Sequence, residues 1–145
     1  MGATNFERYA FGKTLEEAYR RAYEEAEDFT GIIDGESGDL NSKPGCIEVA
    51  VPEGVTPARY LRWIEKADQA FTGYGISQKQ KDKLLGSIPD RHQARVFTYA
   101  NYYADTSAKA LAIKMTGRKA QEFRRGTVYA GKPGNVYVFI GCARC

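Results

Sequence analysis

The sequence predicts a single α+β domain over residues 1–145, with a small, mostly antiparallel sheet packed against two or three helices. The chain of 145 residues has the usual length of one domain. Helical and strand patterns are mixed along it without the regular alternation that a parallel α/β sheet requires. The sequence also holds no internal repeat, low-complexity tract or linker that would divide it.

The first quarter of the chain predicts a strand followed by an amphipathic helix. Residues 4–11 fit a short strand. Thr14 and Glu17 form a capping-box pattern, which satisfies free backbone amides at a helix start. Gly31 is expected to follow the last turn of this helix. Apolar side chains then recur at helical spacing, namely Leu15, Ala18, Tyr19, Ala22, Tyr23, Ala26 and Phe29.

A glycine-rich loop and a strand come next. Residues 31–45 carry four glycines together with Asp, Asn and Pro, which is typical of turns, and a short strand is expected near 39–43. The stretch 34–39 matches an acidic metal loop only loosely, because calcium-loop spacing fails there. Residues 46–51 are rich in β-branched side chains and predict a buried strand.

The middle of the chain predicts two further helices. Thr56 as N-cap and Pro57 at the first helical position start a helix that runs to about Phe71. A shorter helix is expected over 78–85, after a capping serine. Residues 90–105 have an aromatic pattern that fits either a helix or a long strand.

The last third of the chain predicts mainly strands. Residues 107–115 fit a strand of small side chains, and 119–123 fit one helical turn. Residues 127–130 and 135–143 are expected to be two strands of a hairpin, joined by the turn formers at 131–134.

The net charge of +3 hides a strong division of charge along the chain. Residues 1–73 hold 8 Lys+Arg and 14 Asp+Glu, a net charge of −6. Residues 74–145 hold 13 Lys+Arg and 4 Asp+Glu, a net charge of +9. The basic half predicts an anionic partner, and the two opposite halves also allow self-association between copies of the chain.

The basic half supplies the candidate binding residues. Arginine offers a planar fork that matches phosphate, glycine lets backbone amides approach an anion, and tyrosine stacks on bases. This combination predicts a nucleic acid or a nucleotide-like ligand, with no cofactor, metal or catalytic residue. A solvated basic face with hairpin turns is the alternative interpretation. The candidates are Arg91, Arg95, Arg118, Lys119, Arg124, Arg125, Tyr129 and Lys132.

Other reactive residues give weaker indications. Cys142 and Cys145 have the C-x-x-C spacing of half a zinc site or a redox pair, but only Cys46 and His92 remain as further soft ligands. His92 lies in a polar run and is expected at the surface. An odd number of cysteines, with neither a signal peptide nor a membrane-length apolar stretch, predicts a cytoplasmic protein that does not contact membranes.

Three stretches together resemble small accessory proteins of tailed bacteriophages and prophages. They are the strand–helix start at 12–19, the small-residue strand at 108–113 and the aromatic-Gly-small ending at 137–143. The resemblance implies a protein made in the host bacterial cytosol that acts on host defence or nucleic-acid machinery by binding. The resemblance carries no known active site, so it assigns no catalytic residue to this chain.

Three functional hypotheses follow. The first is a non-enzymatic protein that binds nucleic acid or a nucleotide through its basic half. The second is an inhibitor that docks on a host defence protein through the acidic helix face of Glu16, Glu24 and Glu27. The third is a metal-independent nuclease or nucleotide-modifying enzyme that uses tyrosine, arginine and His92, although the sequence has only one histidine and no paired carboxylate motif.

Overall fold

A computed structural model describes residues 2–30 and 37–145 and confirms the α+β class. The helices predicted at 15, 57 and 78 all form, and the ambiguous segment 90–105 is a helix. The expected helix end at Gly31 lies outside the described residues. The elements in chain order are β1 (Ala3–Gly12), α1 (Leu15–Thr30), β2 (Cys46–Glu48), α2 (Pro57–Thr72), α3 (Gln78–Gly86), α4 (Asp90–Ala104), β3 (Ala110–Met115), α5 (Arg118–Arg124) and β4 (Asn135–Arg144).

The four strands form one mixed sheet in the order β1-β4-β3-β2. β4 is central and pairs antiparallel with β1 along its whole length, from Ala3 opposite Arg144 to Gly12 opposite Asn135. β3 pairs antiparallel with β4, and the short strand β2 adds parallel to β3. The chain can turn directly from β1 into α1 because Gly12 has no side chain; a Cβ there would lie 2.5 Å from the Ala18 backbone nitrogen.

One face of the sheet is covered by α1 at close range. The buried stripe of α1 consists of Ala18, Ala22 and Ala26, all fully buried. It belongs to one cluster with Ala110 and Ala112, which alternate along β3. Alanine on the helix side lets α1 lie close to the sheet, whose side of the cluster also includes Phe6, Tyr137 and Phe139. Among the strands, α1 packs mainly on β1 and β4, and the small residues of β3 belong to the same buried cluster.

The other face of the sheet packs on α2 and α4. A second cluster is formed by the strand side chains that point to this other face, among them Leu111 and Ile113 from β3 and Val138 from β4. Tyr60 and Ile64 of α2 are fully buried against them. The sheet thus lies between helix layers, with α3 packed on α2 and α5 on β4. In the described part of the chain, no helix is long and apolar enough to cross a membrane.

The prediction of a hairpin at the C-terminal end is wrong. Residues 127–130 form turns, and β4 pairs with β1 and β3 instead. Gly134 adopts a φ of +143°, and a Cβ at this position would lie 2.4 Å from the Phe11 ring. The loop therefore packs on Phe11, and its strand-like sequence at 127–130 finds no neighbouring strand.

Two smaller expectations also differ from the structure. The strand expected at 39–43 is a short 3-10 helix, Leu40–Ser42, because the Asp39 carboxylate accepts a hydrogen bond from the Leu40 amide and caps it. The strand expected at 46–51 is limited to Cys46–Glu48. β3 likewise starts at Ala110, three residues later than expected.

Candidate anion-binding groove

Helix α2 carries basic side chains on one face. Its start is fixed by Thr56, whose hydroxyl accepts a hydrogen bond from the Arg59 amide, and by Pro57 in the first turn. Arg59, Arg62 and Lys66 follow at positions i, i+3 and i+7, which align on one side of a helix. The opposite side is buried in the core, so these cations face outward.

The basic face of α2 borders a groove of about 640 Å³ between β1, α2 and α5. Lys119 of α5 enters it from the opposite wall, and Tyr9 of β1 and Trp63 of α2 contribute aromatic surface. Trp63 is the only tryptophan of the chain and is 7% exposed. Small-ligand sites typically have volumes of roughly 300–1,000 Å³, so the groove has the size of such a site.

The cations of the groove are not neutralised by ion pairs. Of the ion pairs in the described residues, none involves Arg59, Arg62 or Lys119. Lys66 donates a hydrogen bond of 3.3 Å to the Ser87 hydroxyl rather than to a carboxylate. These side chains give the groove an excess of positive charge.

Two carboxylates also line the groove, Glu7 of β1 and Glu65 of α2. The pKa of Glu65 is raised above its usual value, chiefly because surrounding protein removes water from the carboxyl group and secondly because Glu7 is near. Arg62 and Lys119 act in the opposite direction and favour the charged form. Four cations and two carboxylates therefore share one groove.

The predicted binding residues are divided by the fold. Lys119 is the one that lines the groove. Arg91 and Arg95 lie on α4, where the Arg91 Nε donates 3.2 Å to His92 and the His92 ring stacks on Trp63 at 5.4 Å. His92 is therefore half-buried against an aromatic side chain, and not a freely solvated surface residue as expected. Arg118 and Arg125 are exposed.

Arg124 and Tyr129 shape the loop that precedes β4. The Arg124 guanidinium donates to the carbonyl oxygen of Tyr129, at 3.1 Å from Nη2, and to that of Lys132. It also lies over the Phe11 ring, 5.0 Å from its centroid. The Tyr129 ring stacks on the Phe11 ring, with 4.7 Å between the ring centroids. The Arg21 guanidinium lies over the Tyr129 ring, 5.3 Å from its centroid. These two predicted residues have internal contacts that hold the loop on β1.

A smaller depression lies beside this loop. It has a volume of about 270 Å³, and Lys132, Lys13 and Arg21 are among the residues that line it. Arg21 already pairs with Glu17 at 3.0 Å and donates to the Phe11 carbonyl at 2.8 Å. Since its guanidinium is engaged, this depression offers fewer free cations than the groove.

The cysteines do not form the pair that their spacing suggested. An extended chain advances about 3.3 Å per residue, which separates the Cα atoms of Cys142 and Cys145 by about 10 Å. A disulfide requires a Cα separation below about 7 Å. Both cysteines are free thiols, with Cys142 half-buried in β4 and Cys145 exposed directly after this strand. Within residues 2–30 and 37–145, no group of three or more His, Cys, Asp or Glu is placed to hold a metal ion.

Sequence reasoning missed the basic face of α2. Arg59, Arg62 and Lys66 lie in the acidic half of the chain, so the division of charge at residue 73 concealed them. Their i, i+3, i+7 spacing on a predicted helix was the available signal. Comparison of the chain with protein-family models, with curated proteins and with solved structures finds no match.

Proposed function

We propose that the protein binds a small phosphate-bearing ligand of the nucleotide class in the groove between β1, α2 and α5, without catalysing a reaction. The observation that carries this proposal is the convergence of Arg59, Arg62 and Lys119 on one groove with no ion-pair partner among the described residues. Arginine binds phosphate through two parallel hydrogen bonds, and lysine supplies a point charge.

The placement of Arg59 and Lys119 at helix starts adds support. α2 has no acidic residue in its first turn and carries Arg59 there. α5 likewise has no acidic residue in its first turn and carries Lys119 there. Cations near a helix N-terminus oppose the helix dipole, at a cost of about 0.3–1 kcal/mol each. A sequence that violates a local preference without structural gain often does so for function.

The aromatic wall fits the same class of ligand. Tyr9 and Trp63 border the groove beside the cations, and flat apolar side chains are suited to a sugar or base next to a phosphate. The resemblance to phage accessory proteins also implies an activity of this kind, namely binding without catalysis.

The test uses the fluorescence of Trp63, the single tryptophan, as a reporter inside the groove. Pyrophosphate and ribose phosphate are titrated, since neither absorbs light in this region. We expect a saturable change in emission. Arg62→Ala and Lys119→Ala should each weaken binding by about 10-fold or more, the value of one charged hydrogen bond.

The matched controls are Arg118→Ala and Arg125→Ala, which remove exposed arginines outside the groove. They should leave the affinity within about two-fold, because screened surface charges at a distance contribute little. No response of Trp63 to either probe, or equal losses in the groove variants and the controls, would contradict the proposal.

Preferential binding of a nucleic-acid polymer would overturn the proposal that the ligand is small. Polymer binding releases counterions, so the logarithm of the affinity falls linearly with the logarithm of the salt concentration. A single-stranded oligonucleotide that binds far more tightly than pyrophosphate, with a slope of several units, would show this. We expect instead a shallow slope of about one or two, set by the few phosphate charges of a small ligand.

A further inference from the structure

A smaller pocket opens off the groove and shares two carboxylates with it. This side pocket has a volume of about 250 Å³. Glu7 and Glu65 line both the groove and the side pocket, so the two cavities adjoin. The lining of the side pocket consists of Asn5, Phe6, Glu7, Glu65, Tyr103 and Ile140.

Tyr103 gives the side pocket an unused hydrogen-bond donor. The residue belongs to α4, is 8% exposed and lines the pocket. Its hydroxyl group forms no hydrogen bond with another described residue and keeps some contact with solvent, and Asp68, Glu65 and Glu7 are its electrostatic neighbours. A ligand atom that accepts from this hydroxyl group would take the place of a water molecule.

Polar groups of opposite hydrogen-bonding character therefore meet in one small cavity. An ionised carboxylate accepts only and offers two oxygens, whereas the tyrosine hydroxyl can donate. Phe6 and Ile140 add apolar surface to the same cavity. The ligand that satisfies this set must present two adjacent N–H donors and a neighbouring oxygen acceptor.

We infer that the side pocket recognises the guanine base of a nucleotide whose phosphate lies among the cations of the groove. This inference rests on the proposed function. The Watson–Crick edge of guanine presents a carbonyl oxygen, a ring N–H and an exocyclic amino group in that order. The Glu65 carboxylate accepts from the two nitrogens, and the Tyr103 hydroxyl donates to the carbonyl oxygen. Adenine offers a ring nitrogen acceptor where guanine has a donor, and this acceptor would face the carboxylate.

The order of charges along the cavity matches the same ligand. The cations Arg62 and Lys119 lie at the groove end, and the carboxylates Glu7 and Glu65 lie at the entrance to the side pocket. A nucleotide has this polarity, with anionic phosphate at one end and N–H donors at the other. A bare polyphosphate would leave the side pocket empty and would meet two repelling carboxylates.

Isothermal titration calorimetry with GMP, IMP and AMP tests the inference. A bidentate base contact discriminates by about 5-fold to 150-fold, so GMP should bind at least about 5-fold more tightly than AMP. IMP lacks the exocyclic amino group and should fall between them. Glu65→Gln and Tyr103→Phe should reduce the ratio of the GMP and AMP affinities several-fold, while ribose phosphate binds each variant at least as well as the wild type.

The outcomes separate this inference from the proposed function. If Lys119→Ala weakens ribose phosphate binding but GMP and AMP bind equally, the groove binds phosphate and the guanine assignment is wrong. The assignment is also wrong if Glu65→Gln keeps the full preference for GMP. If neither ribose phosphate nor any of the nucleotides binds, the proposed function itself fails. Tyr103→Phe removes one hydroxyl group from a buried ring, and Glu65 is exposed, so both variants should fold.

Discussion

Arg8 and Asp39 form a two-point ion pair between β1 and the loop after α1. The Arg8 Nε lies 2.7 Å from Asp39 Oδ1, and Nη2 lies 2.6 Å from Oδ2. The side chains are 14% and 12% exposed. Asp39 also caps the 3-10 helix through the Leu40 amide, so a single carboxylate fixes both the loop and the strand. This pair raises the pKa of Arg8, mainly through the hydrogen bonds to Asp39.

Removal of Asp39 should destabilise the fold strongly. Asp39→Ala leaves the partly buried Arg8 without its carboxylate, which we expect to lower the free energy of unfolding by about 3 kcal/mol. Glu25 is the matched control, since it contacts the same guanidinium at 2.9 Å but is 66% exposed. Glu25→Ala should cost less than about 1 kcal/mol. Urea denaturation measures both, and equal costs would contradict the dominant role of Asp39.

The contact between α1 and the sheet should tolerate no larger side chain. Ala22 is fully buried in the cluster with Ala110 and Ala112. Ala22→Leu should destabilise the protein by about 1–3 kcal/mol through overpacking. The same change at Ala94, an exposed position on α4, should stay within about 0.5 kcal/mol. Thermal denaturation compares the two, and a neutral Ala22→Leu would mean that the helix does not lie close to the strands.

Arg124 should protect the loop over residues 125–134. Arg124→Ala removes the donor to the carbonyl groups of Tyr129 and Lys132. A charged hydrogen bond contributes about 1.5 kcal/mol or more, so amide hydrogen exchange in this loop should accelerate by about 10-fold. Arg125→Ala, the exposed neighbour, should leave the exchange unchanged. Equal acceleration in both variants would show that the local charge, rather than the hydrogen bonds, matters.

The cysteines should differ in reactivity. Cys145 is exposed, whereas burial raises the pKa of the half-buried Cys46 to about 11 from 9.0. At about pH 8, Cys46 should therefore react with iodoacetamide about 100-fold more slowly than an unperturbed thiol, because the thiolate is the nucleophile. Mass spectrometry should show Cys145 modified first. A disulfide between Cys142 and Cys145 in the folded, oxidised protein would contradict the extended geometry of β4.

The preference for guanine should depend on pH. Only the ionised Glu65 carboxylate can accept two hydrogen bonds, and its pKa is raised above the usual 4.5. The preference for GMP over AMP should thus be full at neutral pH and should decline on acidification, already above pH 4.5. Calorimetry across this range measures it, and a preference that rises on acidification would exclude the carboxylate as the acceptor. The charged and titratable groups around Glu65 are Glu7, Asp68, Arg62, Lys119 and Tyr103.

The elements with a strong local signal could be predicted from the sequence. α1 was visible from its capping residues and apolar spacing, and α2 from Thr56 and Pro57. The segment 127–130 has strand-forming residues but no strand partner, because β4 pairs with β1 across the whole chain. A pairing between residues 3 and 144 leaves no trace in the local sequence, so the hairpin expectation failed.

The candidate site was predictable only in part, for the same reason. Lys119 was named from its basic neighbourhood, and the structure places it in the groove. Its partners Arg62 and Glu65 come from the acidic half, more than fifty residues away in the chain. Arg124 was named for the same reason as Lys119, but its guanidinium donates to backbone carbonyls. Composition indicates which residues are basic, whereas only the packing of helices decides which of them face a common cavity.

NMR can locate bound GMP on the protein residue by residue. On titration of the ¹⁵N-labelled protein with GMP, we expect the largest amide and indole shifts on Arg62, Trp63 and Lys119 around the groove and on Tyr103 in the side pocket. If the shifts are centred instead on Arg91 and Arg95 of α4, or if saturating ligand causes none, the groove is not the binding site.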